Sequence, residues 1–329
     1  MVRNCKKIKA FVENSLDNCT VLIVGDVMLD KYYFGEVRRI SPEAPVPITR
    51  VIKEKETLGG AGNVAHNLAL LGCRTLLAGV VGRDEHRTGF LRLLDEKGIN
   101  HEGLVAKNGP TTTKLRVIGG HQQMMRLDFE ETHPIEREIE EELKAYITAV
   151  VPQQVGCVII SDYNKGVCTP TLCQFIIEYC AVQKIPVIVD PKGSNWQKYM
   201  GASYITPNLK ELNEAVRVEV ANDDEQVKKA AQSIRRKYHI QNVLVTRSEK
   251  GLSLIGGRRC VHIPTHAQEV FDVSGAGDTV IAVMGAALAG KVDFSDAAYL
   301  ANMAAGVVVG KVGTYAISRE ELLVTLENC

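Results

Sequence analysis

Five apolar runs of strand length, separated by helix-length segments, leave this chain few ways to fold. The runs are VLIVG (21–25), CVIIS (157–161), PVIVD (186–190), SYIT (203–206) and NVLVT (242–246). Their apolar character is nearly continuous rather than alternating, which predicts strands covered on both faces, as in a parallel sheet. Helical patterns lie between them at 62–72, 86–97, 169–183, 223–238, 275–290 and 295–310. A further one, IEREIEEELKAYITAV, puts Ile135, Ile139, Leu143, Ile147 and Val150 on one side and acidic residues on the other, so its charge run reads as a solvated face. This alternation predicts an α/β doubly wound fold, a mostly parallel sheet flanked by helices. Two stretches break the rhythm: residues 31–54, with the turn-rich SPEAPVP, and 111–128, TTTKLRVIGGHQQMMRLD. Both read as antiparallel strands with turns, expected to pair into a small sheet that forms a lid. With no internal repeat and no Gly/Ser-rich linker, the expectation is one domain over 1–329, with lid strands from about 31–54 and 111–128.

Charge removes several function classes. Lys plus Arg and Asp plus Glu both number 39, so no bulk positive charge draws in nucleic acid or an anionic membrane. An anionic ligand must be held by local groups. The first residues are polar, and no run approaches the ~20 apolar residues of a membrane span, so a cytoplasmic location is expected. Nine cysteines are scattered without a CxxC pair, which predicts reduced thiols. His262 and His266 flank Pro264 in a strand and turn, a poor geometry for a metal.

The segment most informative about chemistry is DVSGAGDTVIAVMGAALAG (272–290), a glycine-rich turn leading into a small-residue helix. Gly275, Ala276 and Gly277 let a phosphoryl group approach the amides of a helix N-terminus, where the dipole also favours negative charge. Asp278, in the first turn, is placed to accept a proton from an attacking hydroxyl. A helix-capping loop would have the same composition, so the other motifs matter. In chain order they are GDVMLD (25–30), LGGAGNVAHNLALLG (58–72), NLKE (208–211) and VTRSEKG (245–251). No GxxxxGK[ST] occurs, and the strand at 21–25 runs into GDVMLD rather than GxGxxG, which argues against a P-loop and a dinucleotide site.

Together these motifs resemble the ribokinase (PfkB) family of sugar kinases from about residue 20 to 325. The resemblance implies a ribokinase-like fold, with ATP and Mg²⁺ as cofactors and a monovalent cation left open. It implies Asp278 as the base, with the 275–277 amides as the anion hole. Asp26, Asp30, Gly59, Gly60 and Asn63 fall in sugar-contacting stretches. Asn208 and Glu211 would organise Mg²⁺, Glu211 through water; Thr246, Ser248 and Gly251 would line the nucleotide site, and Asn302 the adenine region. Family members commonly pair their lids, which implies a homodimer.

The choice of sugar turns on cations. Lys114, Arg116 and Arg126 lie in the lid segment, and Lys165 and Lys192 follow strand ends in SDYNKG and VDPKG. A phosphorylated sugar needs such groups at its far end. With RRISPEAPVP (38–47), TTTKLRV (111–117) and HQQMMRLDFE (121–130), these stretches resemble the D-glycero-β-D-manno-heptose 7-phosphate kinases of lipopolysaccharide synthesis. The resemblance implies ATP-dependent phosphorylation of the anomeric hydroxyl to the 1,7-bisphosphate. Many such kinases are fused to a C-terminal nucleotidyltransferase; this chain resembles the free-standing form or the excised kinase half of a fusion. GGHQQ (119–123) departs from the pattern, which has a more basic residue before the His. The alternatives are a family kinase for a neutral sugar or keto-sugar acid, or a regulator that binds nucleotide or sugar without turnover.

Overall fold

The computed structural model describes residues 5–120, 122–257, 259–267, 269–311 and 313–327. Helix α1 (Cys5–Asn14) leads to β1 (Thr20–Gly25), β2 (Val27–Ile40), β3 (Pro47–Gly60) and α2 (Ala61–Leu70). Then come β4 (Arg74–Gly82), α3 (Glu85–Glu96), β5 (Asn100–Lys107), β6 (Thr113–Gly119) and β7 (Gln122–Phe129). The next stretch holds α4 (Arg137–Gln154), β8 (Cys157–Ser161), α5 (Pro170–Val182), β9 (Val187–Asp190), β10 (Tyr204–Ile205) and α6 (Leu209–Val216). It ends with α7 (Asp224–Lys237), β11 (Asn242–Thr246), β12 (Leu252–Gly256), β13 (Arg259–Ile263), α8 (Ala276–Ala289), α9 (Phe294–Val308) and α10 (Arg319–Glu327).

Nine strands form one sheet in the order β13-β12-β11-β10-β9-β8-β1-β4-β5, parallel except for the antiparallel β12 and β13 at one edge. Every residue of β1 and β8 is buried, because helices cover both faces, as their continuous apolar character predicts. On one side Val21 and Ile23 pack with α2, α8 and α9; on the other Leu22 and Val24 pack with α4, α5 and α7. The small residues of α8 are explained by this packing. A Cβ on Gly285 would stand 2.7 Å from Ile159 Cδ1, so only glycine lets the helix lie this close to the sheet centre.

Four strands form a second sheet, β3-β2-β6-β7. Its two hairpins are antiparallel, but they join through a parallel β2–β6 pair, which corrects the all-antiparallel expectation. The first hairpin also reaches further down than 31–54. β2 starts at Val27 directly after β1, and β3 ends at Gly60, so GDVMLD and LGGAGN are its two feet. Ala61 N–H donates to Asp26 O at 3.0 Å across them. Gly60 has φ 54, and a Cβ there would approach Asp26 O to 2.5 Å.

Cys19, Cys73, Cys157, Cys168, Cys173, Cys180 and Cys260 are free thiols, while Cys5 is disulfide-bonded, against the expectation of uniformly reduced cysteines. Among the described residues no helix is long and apolar enough to cross a membrane.

Candidate active site

Asp278 sits in the first turn of α8, behind Gly275 in the left-handed region at φ 82, and is 7% exposed. Asn63 Nδ2 donates to its Oδ2 at 2.6 Å, and the Tyr163 hydroxyl donates to its Oδ1 at 2.5 Å. Burial pushes its carboxyl up to about 6, with Asp30 acting the same way, while the Asn63 and Tyr163 hydrogen bonds hold the rise in check. This revises the free-carboxylate value of ~4 expected from sequence. A base of this strength accepts a proton more readily near neutral pH. Asn63 arrives from the first turn of α2, which packs on α8; Thr279 Oγ1 donates to Asn67 Oδ1 at 3.0 Å between them.

Sequence reasoning missed Tyr163. It follows β8, at a strand end of an open sheet, where ligands gather; within SDYNKG only Lys165 is singled out by the sequence as a site residue. The loop that carries it is fixed by Asp26, whose carboxylate accepts the backbone N–H groups of Tyr163 (2.8 Å), Lys165 (3.0 Å) and Val167 (3.0 Å). Asp26 is 1% exposed, so the structure gives it the work of holding this loop rather than an open position for sugar hydroxyls. Asp162 steadies the same loop by accepting from the Tyr199 hydroxyl at 2.5 Å and from Lys198.

A cavity of about 210 Å³ opens beside Asp278 and gathers Gly275, Gly277, Lys192, Asn208, Glu211 and Thr246 on its wall. A Cβ on Gly277 would meet no atom within 4 Å, so the first turn of α8 faces open space there. Asn208 and Glu211 form a reciprocal cap on α6: Glu211 N–H donates to Asn208 Oδ1 at 2.8 Å, and Asn208 N–H donates to Glu211 Oε2 at 3.0 Å. Lys192 Nζ donates to Glu211 Oε1 at 3.1 Å. Asp190, also on the wall and also unforeseen, is held well above the carboxylate range by burial and by Glu211 and Asp278. Crowded carboxylates that favour a proton also favour a divalent cation, so this donor set fits Mg²⁺.

The other residues expected at the nucleotide lie differently. Ser248 is exposed, Gly251 is buried at φ 77 where a Cβ would collide with Ile263 O, and Asn302 Nδ2 donates to Pro264 O at 2.7 Å. None of the three is on the cavity wall. Their visible contacts shape the β11–β12 turn and the end of β13.

The cations expected to face a phosphorylated sugar are each paired. Arg116 Nη1 donates to Asp30 Oδ1 at 2.6 Å, and Arg126 binds Asp128 through Nε and Nη2 at 2.8 and 2.9 Å. Lys114 lies 3.4 Å from Glu130 and 3.6 Å from Asp128, and Lys165 donates to Glu130 at 2.7 Å. Register explains the grouping, since Asp30, Lys114 and Asp128 are directly opposite one another on β2, β6 and β7. Gly59 lies against this row, where a Cβ would meet Asp30 Oδ2 at 2.3 Å. Lys192 stands apart, with the Glu211 group. In GGHQQ, His121 lies outside the described residues.

A family model for pfkB family carbohydrate kinases matches residues 20–321. The chain belongs to this family. As a pfkB sugar kinase it is 47% identical over 307 residues to the "Bifunctional protein HldE" of Geobacter sulfurreducens, covering 93% of this chain and 62% of that protein. It is 45% identical to the protein of the same name from Methylobacillus flagellatus, covering 95% and 64%. The chain thus spans somewhat less than two thirds of the length of these relatives. Among solved structures, phosphofructokinase-2 from Escherichia coli in complex with potassium superposes with a TM-score of 0.77 at 19% identity, covering 94% of this chain and 98% of that one. Ribokinase from Arabidopsis thaliana, complexed with ribose and ATP, gives 0.72 at 20%, covering 94% and 99%. Both support the ribokinase-like pfkB fold.

Proposed function

We propose that this chain transfers the γ-phosphoryl group of ATP to the anomeric hydroxyl of D-glycero-β-D-manno-heptose 7-phosphate, a cytoplasmic step of ADP-heptose synthesis for lipopolysaccharide. The observation that carries the reading is the charged face of the lid, with Lys114, Arg116 and Arg126 grouped beyond Asp30 and Lys165 meeting them from the loop after β8, in a pfkB kinase whose relatives are HldE proteins. Asp278 removes the proton of the attacking hydroxyl while Asn63 and Tyr163 hold its carboxylate in line. The 275–277 backbone approaches the transferred group closely, which Gly277 permits. Mg²⁺ bound with ATP would supply charge neutralisation, with Glu211 and Asp190 as the residues to hold it. Charge stabilisation matters more than basicity, because a loose transition state releases its proton late. The four-stranded sheet acts as a lid over the sugar, excluding water. Exposed Val37, Ile52, Met125, Leu127 and Phe129 on this sheet fit a homodimer through the lid. A monovalent cation is a further expectation, in line with the potassium complex of the E. coli phosphofructokinase-2.

The test is ADP release with Mg·ATP across heptose 7-phosphate, ribose, fructose and fructose 6-phosphate. Strong preference for heptose 7-phosphate supports the reading; preference for a neutral sugar sinks the substrate and leaves the kinase.

Two variants probe the parts. For Tyr163→Phe, kcat is expected to fall roughly tenfold or more, the worth of a hydrogen bond to a charged group. The acid limb of its pH profile moves up, since the lost donor favoured the carboxylate; an unmoved limb would make the hydroxyl merely structural. For Lys114→Ala, KM for the sugar phosphate is expected to rise about tenfold with KM for ATP little changed. Steady-state kinetics with each substrate varied in turn checks this.

A further inference from the structure

Glu130, where β7 leaves the lid sheet, is shared by two lysines from different parts of the molecule. Its Oε1 accepts from Lys165 Nζ at 2.7 Å and its Oε2 from Lys114 Nζ at 3.4 Å. Lys114 is on β6 of the four-stranded sheet, whereas Lys165 is on the loop after β8 of the nine-stranded sheet. That loop is the one fixed by Asp26, and it carries the hydroxyl partner of Asp278. Glu131 ties the same turn to Lys107 at 2.9 Å. The three bridging side chains are only 16% to 22% exposed. Partial burial acts to raise the Glu130 carboxyl, but the two ammonium groups outweigh it and draw it below the ordinary range.

We propose that Glu130 is an internal stand-in for the phosphate end of the substrate: it occupies the two-lysine site until a dianionic phosphate displaces it. The inference rests on reading these lysines as contacts of a sugar phosphate. A carboxylate brings one negative charge, whereas a phosphate monoester brings close to two at neutral pH and three acceptor oxygens. The exchange therefore runs toward phosphate. It does not run toward a neutral hydroxyl, which would leave the largely buried Lys165 ammonium uncompensated and Lys114 with Asp128 alone. Glu130 in this way sets a threshold that only a strongly anionic end passes, a repulsive element of specificity. The exchange also brings Lys114 of the lid and Lys165 of the body onto one group, so phosphate binding and lid position are coupled.

Glu130→Gln removes the competing anion and keeps the shape. Its kcat/KM for heptose 7-phosphate is expected to rise roughly fivefold, with inorganic phosphate becoming a stronger competitive inhibitor by a similar factor, while unphosphorylated heptose changes by less than about twofold. Glu130→Asp, too short to bridge both lysines, should shift in the same direction by less, and serves if the Gln variant does not fold. No gain with the sugar phosphate, or an equal change with both sugars, overturns the exchange. Lys165→Ala separates this from the underlying reading. A raised KM for sugar phosphate there, beside an unresponsive Glu130→Gln, sinks the exchange alone, whereas an unchanged KM sinks the phosphate site itself.

Discussion

Replacing Asp278 by Asn is expected to lower kcat by about three to four orders of magnitude, near the upper range for loss of a general base, with the Kd for ATP changed only a few-fold. The amide keeps the shape of the side chain but cannot take a proton. In the unsubstituted protein, kcat should fall as pH drops through the carboxyl's pKa, which burial sets at about 6. The sign follows from the role: the base works deprotonated, so activity is present above that pH and lost below it. The substituted protein should show no such limb. Groups facing this carboxyl are Tyr163, Asn63 and Asp30, with Asp190 nearby across the cavity. Turnover within tenfold of normal would remove Asp278 from the role of base.

Gly277→Val should leave the fold intact and abolish most transfer. A Cβ at this position meets no atom within 4 Å, so thermal unfolding should shift by only a few degrees. The added side chain projects into the space along the cavity wall where, in the proposed reaction, the phosphoryl group approaches the α8 amides. Loss of such close electrostatic contact costs roughly 10²–10³ in kcat/KM. A folded variant with unchanged kinetics would show that the phosphoryl group does not pass over Gly277. The contrast with Gly25 is instructive: a Cβ there would stand 2.0 Å from Ser161 O, so that glycine serves strand packing rather than a ligand.

The helices were legible because their apolar periodicity is local. The expected spans 86–97, 223–238 and 275–290 fall within one residue of α3, α7 and α8. The central strands were legible for the same reason, since burial on both faces writes itself into continuous apolar runs. Strands β4, β5 and β12 were not anticipated, and β13 only as the strand at His262: β5 is only partly buried, and β12 and β13 form an edge hairpin. The lid was placed by its turns, but its parallel β2–β6 join lay beyond reach. The partners there lie 84 residues apart, as in Asp30 and Lys114, and nothing local distinguishes a parallel from an antiparallel neighbour.

Site residues divided along the same line. Asp278, the 275–277 turn and the Asn208–Glu211 cap each sit within one short motif and could be read from spacing. What Asp278 touches could not, because Asn63 and Tyr163 come from 215 and 115 residues away. Asp26 shows the limit most plainly: GDVMLD can be read along the chain, but that its carboxylate is spent on three amides of a distant loop cannot.

The sequence by itself determined the α/β class, the family, the glycine-rich turn before α8 and the supply of cations in TTTKLRV and SDYNKG. Those follow from short-range pattern and residue chemistry. Only the tertiary structure decided which charges meet, how strongly Asp278 holds a proton, and that Glu130 stands between Lys114 and Lys165. Desolvation and ion pairing depend on what the folded chain brings within a few ångströms, and that distance is not written along the chain.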